Sequence, residues 1–401
     1  MKVIKKVAFM VHEPALFAHY SSVWAEMERD SFVILLMGVF SSSEKGEHGT
    51  GEFLNKVNGL GYEITRLRDI VARNIKYEYV VSNNKIGGRS PYPATPYQLA
   101  LRNIRNAAKK SINLFNHFCG RDNRYQISNL DPVQYWPLQA GIKQIRFMYG
   151  ADISDAYSLD AWNEIYDLFL CHGPNDEAHL KNRFEGKTAI MGYPRYDGYF
   201  SADLKVDDVI AEFGIDPEKS TILWMPTYDM FKDEVCSIPY FANELCQLKD
   251  DFNIIVRPHP ASFRLDREGI ELLESLGFNI DSDPTRDMNK LFRVAETVLC
   301  DHGGSAFGAL YLGKKLVFLK TPTVDTATVL KESSNIELMK HFPVLEIEQV
   351  GTLGALLNDT DYWAKCMGFG RELSDKYFAN YRGNSSRIVA AILARVDAIL
   401  S

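Results

Sequence analysis

The sequence has no cysteine pairs at metal-ligand or redox spacing, no excess of basic residues and no low-complexity tract. It also has no uncharged apolar run near the roughly 18 residues that a membrane-spanning helix needs. Each absence removes a class of protein. Six cysteines (Cys119, Cys171, Cys236, Cys246, Cys300 and Cys366) are scattered without a CxxC pair, which fits a reduced cytoplasmic protein and argues against structural zinc. A net charge of −7 argues against nonspecific nucleic-acid binding, so no nucleic-acid partner is expected. The amino terminus, Met1 to Lys6, leads straight into a strand-like Val7–Val11 without a signal-peptide pattern.

What is present describes a globular chain with ample core: 46% hydrophobic and 24% charged residues over 401 positions. That length implies two domains. Strand-like runs fall at Val7–Val11, Phe32–Phe40, Ile165–Cys171, Thr221–Met225, Phe252–Val256, Thr297–Cys300 and Leu316–Leu319. Helical patterns fall at Ser21–Arg29, Pro96–Phe118, Tyr240–Lys249, Arg286–Val294, Asp361–Tyr381 and Arg387–Leu400. Their alternation is the signature of βαβ units and parallel sheets, an α/β fold. The turn-rich Gly192-Tyr193-Pro194-Arg195-Tyr196-Asp197-Gly198 divides the chain into a first domain over 1–198 and a second over 199–375. A helix over 376–401 is expected to pack back on the first domain.

Two polar clusters carry the chemistry. Arg257-Pro258-His259-Pro260 follows one strand, and Asp301-His302-Gly303-Gly304-Ser305 follows another and opens a helix over Ser305–Leu312. In open α/β sheets the carboxyl edge is where ligands bind. A glycine-rich loop leading into a helix offers backbone N–H groups and the helix dipole to an anion. His259 is placed to donate to a phosphate oxygen, Arg257 to fork onto a carboxylate or phosphate, and Ser305 to complete the cradle. Thr227, His302, Gly303 and Gly304 complete the donor-binding set. Taken singly, each cluster also reads as a strand terminator or a tight turn; the pair points to a phosphate site and a nucleotide-activated donor.

Catalytic carboxylates are sought among Asp229 and Asp233, after Pro226-Thr227, and Asp152 and Asp155, in the run Met148 to Asp155. Asp233 is the first candidate for a nucleophile, and each of the four reads equally as a solvated acid or helix cap. On the acceptor side, His12 and Glu13 end the first strand and His19 leads into the first helix. Lys143 and Arg146 add positive charge. The stretch Leu101–Arg124 interleaves Arg102, Arg105, Lys109, Lys110, Arg121 and Arg124 with Leu114, Phe115 and Phe118. It reads as a surface helix or as one that lies on an anionic membrane.

Thr221 to Tyr228, Arg257 to Pro260, the Asp301–Leu312 loop and helix, and Gly192 to Asp197 resemble the CDP-glycerol glycerophosphotransferase superfamily, with its "APTWR", "RPHP", "TDYSSxxFD" and "GxPRND" segments. The likeness runs over about 160–320. It implies a GT-B architecture, two Rossmann-like domains facing a central cleft, with His259 and Ser305 on the phosphate of a cytidine-carrying donor. The family's "WHGTPLK" segment, whose histidine is the presumed base, is set against Pro137 to Lys143, which puts Leu138 at the histidine. The twin serines become Gly304-Ser305, and Gly308 replaces an acid.

These departures direct the reading to related GT-B enzymes that use CMP-activated ulosonic acids. The function expected is transfer of Kdo or a similar sugar to a lipid-linked or oligosaccharide glycan acceptor in surface polysaccharide synthesis, with peripheral contact at the inner face of the cytoplasmic membrane. No cofactor or obligatory metal is expected, and no DxD pattern stands at a strand end. The alternatives are a CDP-glycerol or CDP-ribitol phosphotransferase and an epimerase-like GT-B protein.

Overall fold

The computed structural model describes residues 1–37, 49–83, 96–118, 135–151, 161–228, 236–322 and 333–401. Two compact units divide the chain, one drawn from Met1–Tyr149, Leu159–Gly192 and Ser385–Ser401, the other from Gly150–Ser158 and Tyr193–Asn384. The chain therefore crosses at Gly192–Tyr193, a few residues before the expected division at 198, and also at the Tyr149–Gly150 peptide. It returns to the first unit at Ser385, not at 376.

In the first unit the described strands are β1 (Lys2–Val11), β2 (Phe32–Leu36), β3 (Ile64–Arg66), β4 (Ile75–Ser82), β5 (Gly141–Phe147), β6 (Leu168–Cys171) and β7 (Lys187–Ile190). They form one sheet in the order β3-β2-β1-β4-β5-β6-β7, every pair parallel. In the second unit β8 (Thr221–Met225), β9 (Asn253–Val256), β10 (Asn279–Ile280), β11 (Thr297–Cys300), β12 (Lys315–Leu319) and β13 (Val344–Leu345) take the order β10-β9-β8-β11-β12-β13, again parallel. Parallel sheets need both faces covered, so their strands read as continuous apolar runs. Ile222, Leu223, Trp224, Val298, Leu299 and Cys300 are all fully buried, and the Trp224 indole N–H donates to Ser237 Oγ at 3.1 Å. Each sheet reverses direction beside its first strand, at β1/β4 and at β8/β11, and ligand crevices open at such switch points beyond the carboxyl ends.

Several expected elements shift. β2 ends at Leu36, short of Phe40, and Ala161–Ile165 is a 3-10 turn ahead of β6. The helix expected from Ser21 runs over Phe17–Glu26, the one from Tyr240 over Ile238–Cys246, and the one from Arg286 over Met288–Val294. Pro96–Phe118 is helical throughout. β5 escapes a hydrophobicity reading because it buries Gln144 and Arg146: Arg146 donates to Asn163 and lies 4.5 Å over the Trp162 ring. The returning segment forms helices Ser385–Ala394 and Val396–Leu400 on the first unit, where Asp397 accepts from the Tyr79 hydroxyl and the Ile399 carbonyl accepts from Lys187 Nζ at 2.7 Å.

Candidate active site

Three loops meet at the carboxyl ends of β8, β9 and β11 in the second unit. Asp301, the first residue past β11, fastens two of them. Its buried carboxylate accepts from the backbone N–H of Thr227 (3.0 and 3.1 Å), Ser237 (2.8 Å) and His302 (2.8 Å). The third loop is tied in where the His259 N–H donates to the Pro226 carbonyl at 3.1 Å. Sequence reasoning quoted Asp301 without giving it a role; a lone acid directly after a buried strand and before a glycine pair was the available signal.

Gly303 has φ +98°, a conformation that L side chains rarely adopt, and its N–H donates to the buried Asn335 side chain at 3.2 Å. The chain then enters the helix Gly304–Leu312, whose first-turn N–H groups have no intrahelical acceptor. A Cβ built at Gly304 would meet no atom within 4 Å, so open space lies over those N–H groups. Gly150, also in the second unit, borders the same glycine: its Cβ would lie 4.0 Å from the Gly304 Cα. Ser305 sits one position further on, and its side chain hydrogen-bonds the buried Cys300 thiol.

His259 is partly buried, its ring 4.4 Å from that of Tyr228. Nδ1 accepts from the Ala261 N–H at 3.1 Å, which leaves the proton of the neutral ring on Nε2. Burial, then the charges of Arg257, His302 and Arg195, lower its pKa from 6.5 to about 4. The ring is thus a neutral donor within a cationic field. His302 contributes a second imidazole: it is 8% exposed, and its buried Nδ1 has no hydrogen-bond partner among the described residues and stands 3.9 Å from an Asp301 oxygen. Arg195, quoted in a motif but not counted as a site residue, belongs to this field through its electrostatic reach to His259 and Arg257.

Arg257 does not fit the donor-clamping role expected of it. Its Nη1 is committed to Asp281 Oδ2 (2.8 Å) and to the carbonyls of Asp281 (3.3 Å) and Asp283 (2.6 Å), while Arg286 takes the other Asp281 oxygen at 2.6 Å. A buried guanidinium holding its own carboxylate braces the loop and adds positive potential. Asp229, Asp233, Asp152 and Asp155 lie outside the described residues.

At the first unit's switch point, His12 and Glu13 leave β1 with His12 Nε2 3.8 Å from Glu13 Oε1. Burial lowers the His12 pKa against the opposing pull of Glu13, and His12 Nδ1 is buried without a partner among the described residues. His19, only 3% exposed, stacks on Tyr149 with ring centroids 4.4 Å apart and planes at 29°. The reading that set Leu138 at the family's histidine is corrected. Leu138 belongs to the short helix Trp136–Ala140 that precedes β5, at the strand's amino end. A catalytic side chain belongs at the carboxyl end, which here is Met148-Tyr149-Gly150, so Tyr149 is the residue to compare. Lys143 and Arg146 are also engaged, with Asp167 (3.0 Å) and Asn163. A feature missed by sequence stands after β6: His172 Nδ1 and its backbone N–H both bond Asp176 Oδ2, at 2.7 and 2.9 Å, in full burial.

Comparison with known proteins places this geometry. Residues 136–353, more than half of the chain, match the family model described as CDP-glycerol:poly(glycerophosphate) glycerophosphotransferase. The teichoic acid glycerol-phosphate primase of Bacillus spizizenii is 25% identical over 188 residues, 45% of this chain and 43% of the primase. The chain thus matches less than half the length of that curated relative. The wall teichoic acid polymerase TagF superposes with a TM-score of 0.62 at 13% identity, over 98% of this chain and 89% of that one. Anabaena HepE, solved with UDP-glucose, gives 0.52 at 11% identity over 98% and 99%. At such identities the structures speak for the fold, two Rossmann-like units of the GT-B class. The chain belongs to the CDP-glycerol:poly(glycerophosphate) glycerophosphotransferase family.

Proposed function

We propose that the protein is a phosphotransferase that moves an alditol phosphate, glycerol phosphate in the first instance, from a CDP-activated donor to a hydroxyl of a glycan or polymer acceptor. The observation that carries the reading is the neutral His259 donor in the same loop cluster as the open Gly303-Gly304 helix start, within a cationic field, in loops that lie within the family match. A diphosphate seated there would meet the free N–H groups of the helix start and the Nε2–H of His259. The acceptor oxygen attacks the β-phosphorus as the bond to the bridging oxygen breaks. The acceptor proton leaves with a base, and CMP departs with its new negative charge on those donors. His12, Glu13 and His19, at the carboxyl edge of the first sheet, are the acceptor-side groups of this reading.

The ulosonic acid reading loses its two structural supports, since position 138 lies at the wrong end of β5 and Arg257 is held by Asp281. The family match favours the alternative with a CDP donor. The test is calorimetric titration with CDP-glycerol, CDP, CMP and UDP, followed by an assay of CMP release with a glycerol phosphate oligomer as acceptor. Tighter binding of CDP-glycerol than of CMP, with release dependent on acceptor, supports phosphotransfer. CMP binding as well as CDP-glycerol, with turnover only of CMP-Kdo, would restore the ulosonic reading. Turnover with a chelator present shows whether a metal takes part.

A further inference from the structure

The Gly303 peptide is held by a residue from outside the three donor loops. Asn335 stands at the second position of the short helix Ser334–Met339, 32 positions further along the chain, and is fully buried. Cys300 pairs with Phe318 at the carboxyl ends of β11 and β12, which sets the segments beyond those strands side by side. Asparagine is seldom buried to that extent, because an amide taken out of water costs free energy unless it is paired. Both ends of this one are paired: Oδ1 accepts from the Gly303 N–H at 3.2 Å, and Nδ2 donates to Ser333 Oγ at 3.3 Å. The orientation of the amide follows from chemistry, since a backbone N–H can only donate and the atom facing it must be the oxygen. Ser333 Oγ also accepts from the Asn335 backbone N–H at 3.1 Å, so the residue that reaches Gly303 is itself braced at two points.

Gly303 needs such a tie. At φ +98° and ψ −164° it occupies a conformation that glycine adopts freely, and a glycine with no side chain to pack is not confined there by itself. It is the N-cap of the helix Gly304–Leu312 and makes no side-chain cap. The residue before it is fixed in the same manner, its N–H donating to the Asp301 carboxylate at 2.8 Å. Two side-chain oxygens therefore take the N–H groups of His302 and Gly303 in turn, and the N–H groups that follow, those of Gly304, Ser305 and Ala306, have no intrahelical acceptor. A rotation of the Gly303 peptide would re-aim all three. An amide supplies the oxygen for this without setting a negative charge behind an anion site. We infer that Asn335 is a positioning residue for the donor: it acts through Gly303, fixing the direction in which the helix start offers its N–H groups to the diphosphate. The inference rests on the donor-site reading given above.

The test compares Asn335→Leu, which nearly keeps the volume and removes the oxygen, with Asn335→Asp, which keeps the oxygen. Hydrogen exchange on the full chain without ligand, read at the Gly303 amide by mass spectrometry with electron-transfer fragmentation, reports the tie itself. Exchange should be about tenfold faster or more in Asn335→Leu and within about threefold of the wild type in Asn335→Asp. Calorimetry should show CDP-glycerol binding about tenfold weaker to Asn335→Leu, while the KM for the acceptor changes less than about twofold. Ser333→Ala is the second variant should Asn335→Leu fail to fold; it loosens the amide without removing it and should move exchange and donor affinity the same way by about threefold. Exchange at the wild-type rate in the folded variant, or Asn335→Asp exchanging as fast as Asn335→Leu, would overturn the inference. Faster exchange with CDP-glycerol affinity unchanged would also overturn it, by reducing Asn335 to a structural role. Wild-type protein that binds no CDP-glycerol brings down the donor-site reading and the positioning role with it, and this failure is told apart from the others because the exchange rates, which need no ligand, still respond to the variants.

Discussion

His259 offers a sharp test because its proton is coupled to the donor. The free ring, with a pKa of about 4 rather than 6.5, is neutral at pH 7, held so by burial and by Arg257, His302 and Arg195. An anion placed within hydrogen-bond reach opposes those causes and raises a pKa by about one to three units, to about 6 in the bound state. The sign follows: between the two values the complex holds more protons than the free protein, so affinity rises as pH falls from about 6 towards 4. At pH 5 the free ring is about one-tenth protonated and the bound ring about nine-tenths, so CDP-glycerol should bind roughly tenfold tighter than at pH 7, with uptake of about 0.8 proton. The donor's phosphates are esterified and do not titrate in this window, whereas its cytosine N3 does, so the protein's share is the difference between the wild type and His259→Gln. Calorimetry at pH 5 in two buffers of different ionisation enthalpy reads the uptake directly. His259→Gln keeps an amide donor near the position of Nε2 and removes the ring's titration, so its affinity should change with pH much less than that of the wild type. A flat wild-type profile refutes the placement of the phosphate on His259. Uptake in His259→Gln as large as in the wild type takes the titration away from His259.

Three further perturbations separate fold from site. Asp301→Ala strips the acceptor from three buried or half-buried backbone N–H groups, at about 1–3 kcal/mol each, and should cost about 3 kcal/mol or more in urea denaturation; a loss below about 1 kcal/mol would refute the fastening role. Gly304→Ala places a methyl where no atom lies within 4 Å, so stability should hold while CDP-glycerol affinity falls about tenfold, whereas Gly303→Ala at φ +98° should lose about 1–3 kcal/mol of stability as well; equal behaviour of the two would contradict the cradle. His19→Gln should lower turnover about tenfold or more and change donor affinity less than about twofold, since the residue belongs to the acceptor-side edge; loss of donor affinity in step with turnover would remove it from that role.

The sequence made the second unit legible because its strands are uninterrupted apolar runs that stop at polar residues with chemistry: Val256 before Arg257, Cys300 before Asp301. A strand buried on both faces has no use for polar side chains, so its end is visible as a change of composition. The first unit breaks that rule. β5 buries Gln144 and Arg146, and its charged look hides it, although Asn163 and Trp162 partner the buried arginine. Arg257 was legible as a residue of the site and not in its role, because its partner, Asp281, is 24 positions away and only the β9/β10 pairing brings the two together.

Missing β5 had a larger consequence than one lost strand. With no strand seen over 141–147, the segment Pro137–Lys143 was free to be matched to a catalytic motif, and Leu138 was taken for a lost histidine. Once β5 is in place its two ends are unequal. The amino end carries the Trp136–Ala140 helix, whose Leu138 carbonyl merely accepts from Lys76 at 2.8 Å. The carboxyl end carries Tyr149, stacked on His19. On the proposed reading the acceptor-side imidazole is His19, supplied by the helix after β1 rather than by the loop after β5. On that reading the departure would be a change in which element delivers the histidine, and the donor loops are left to argue for themselves.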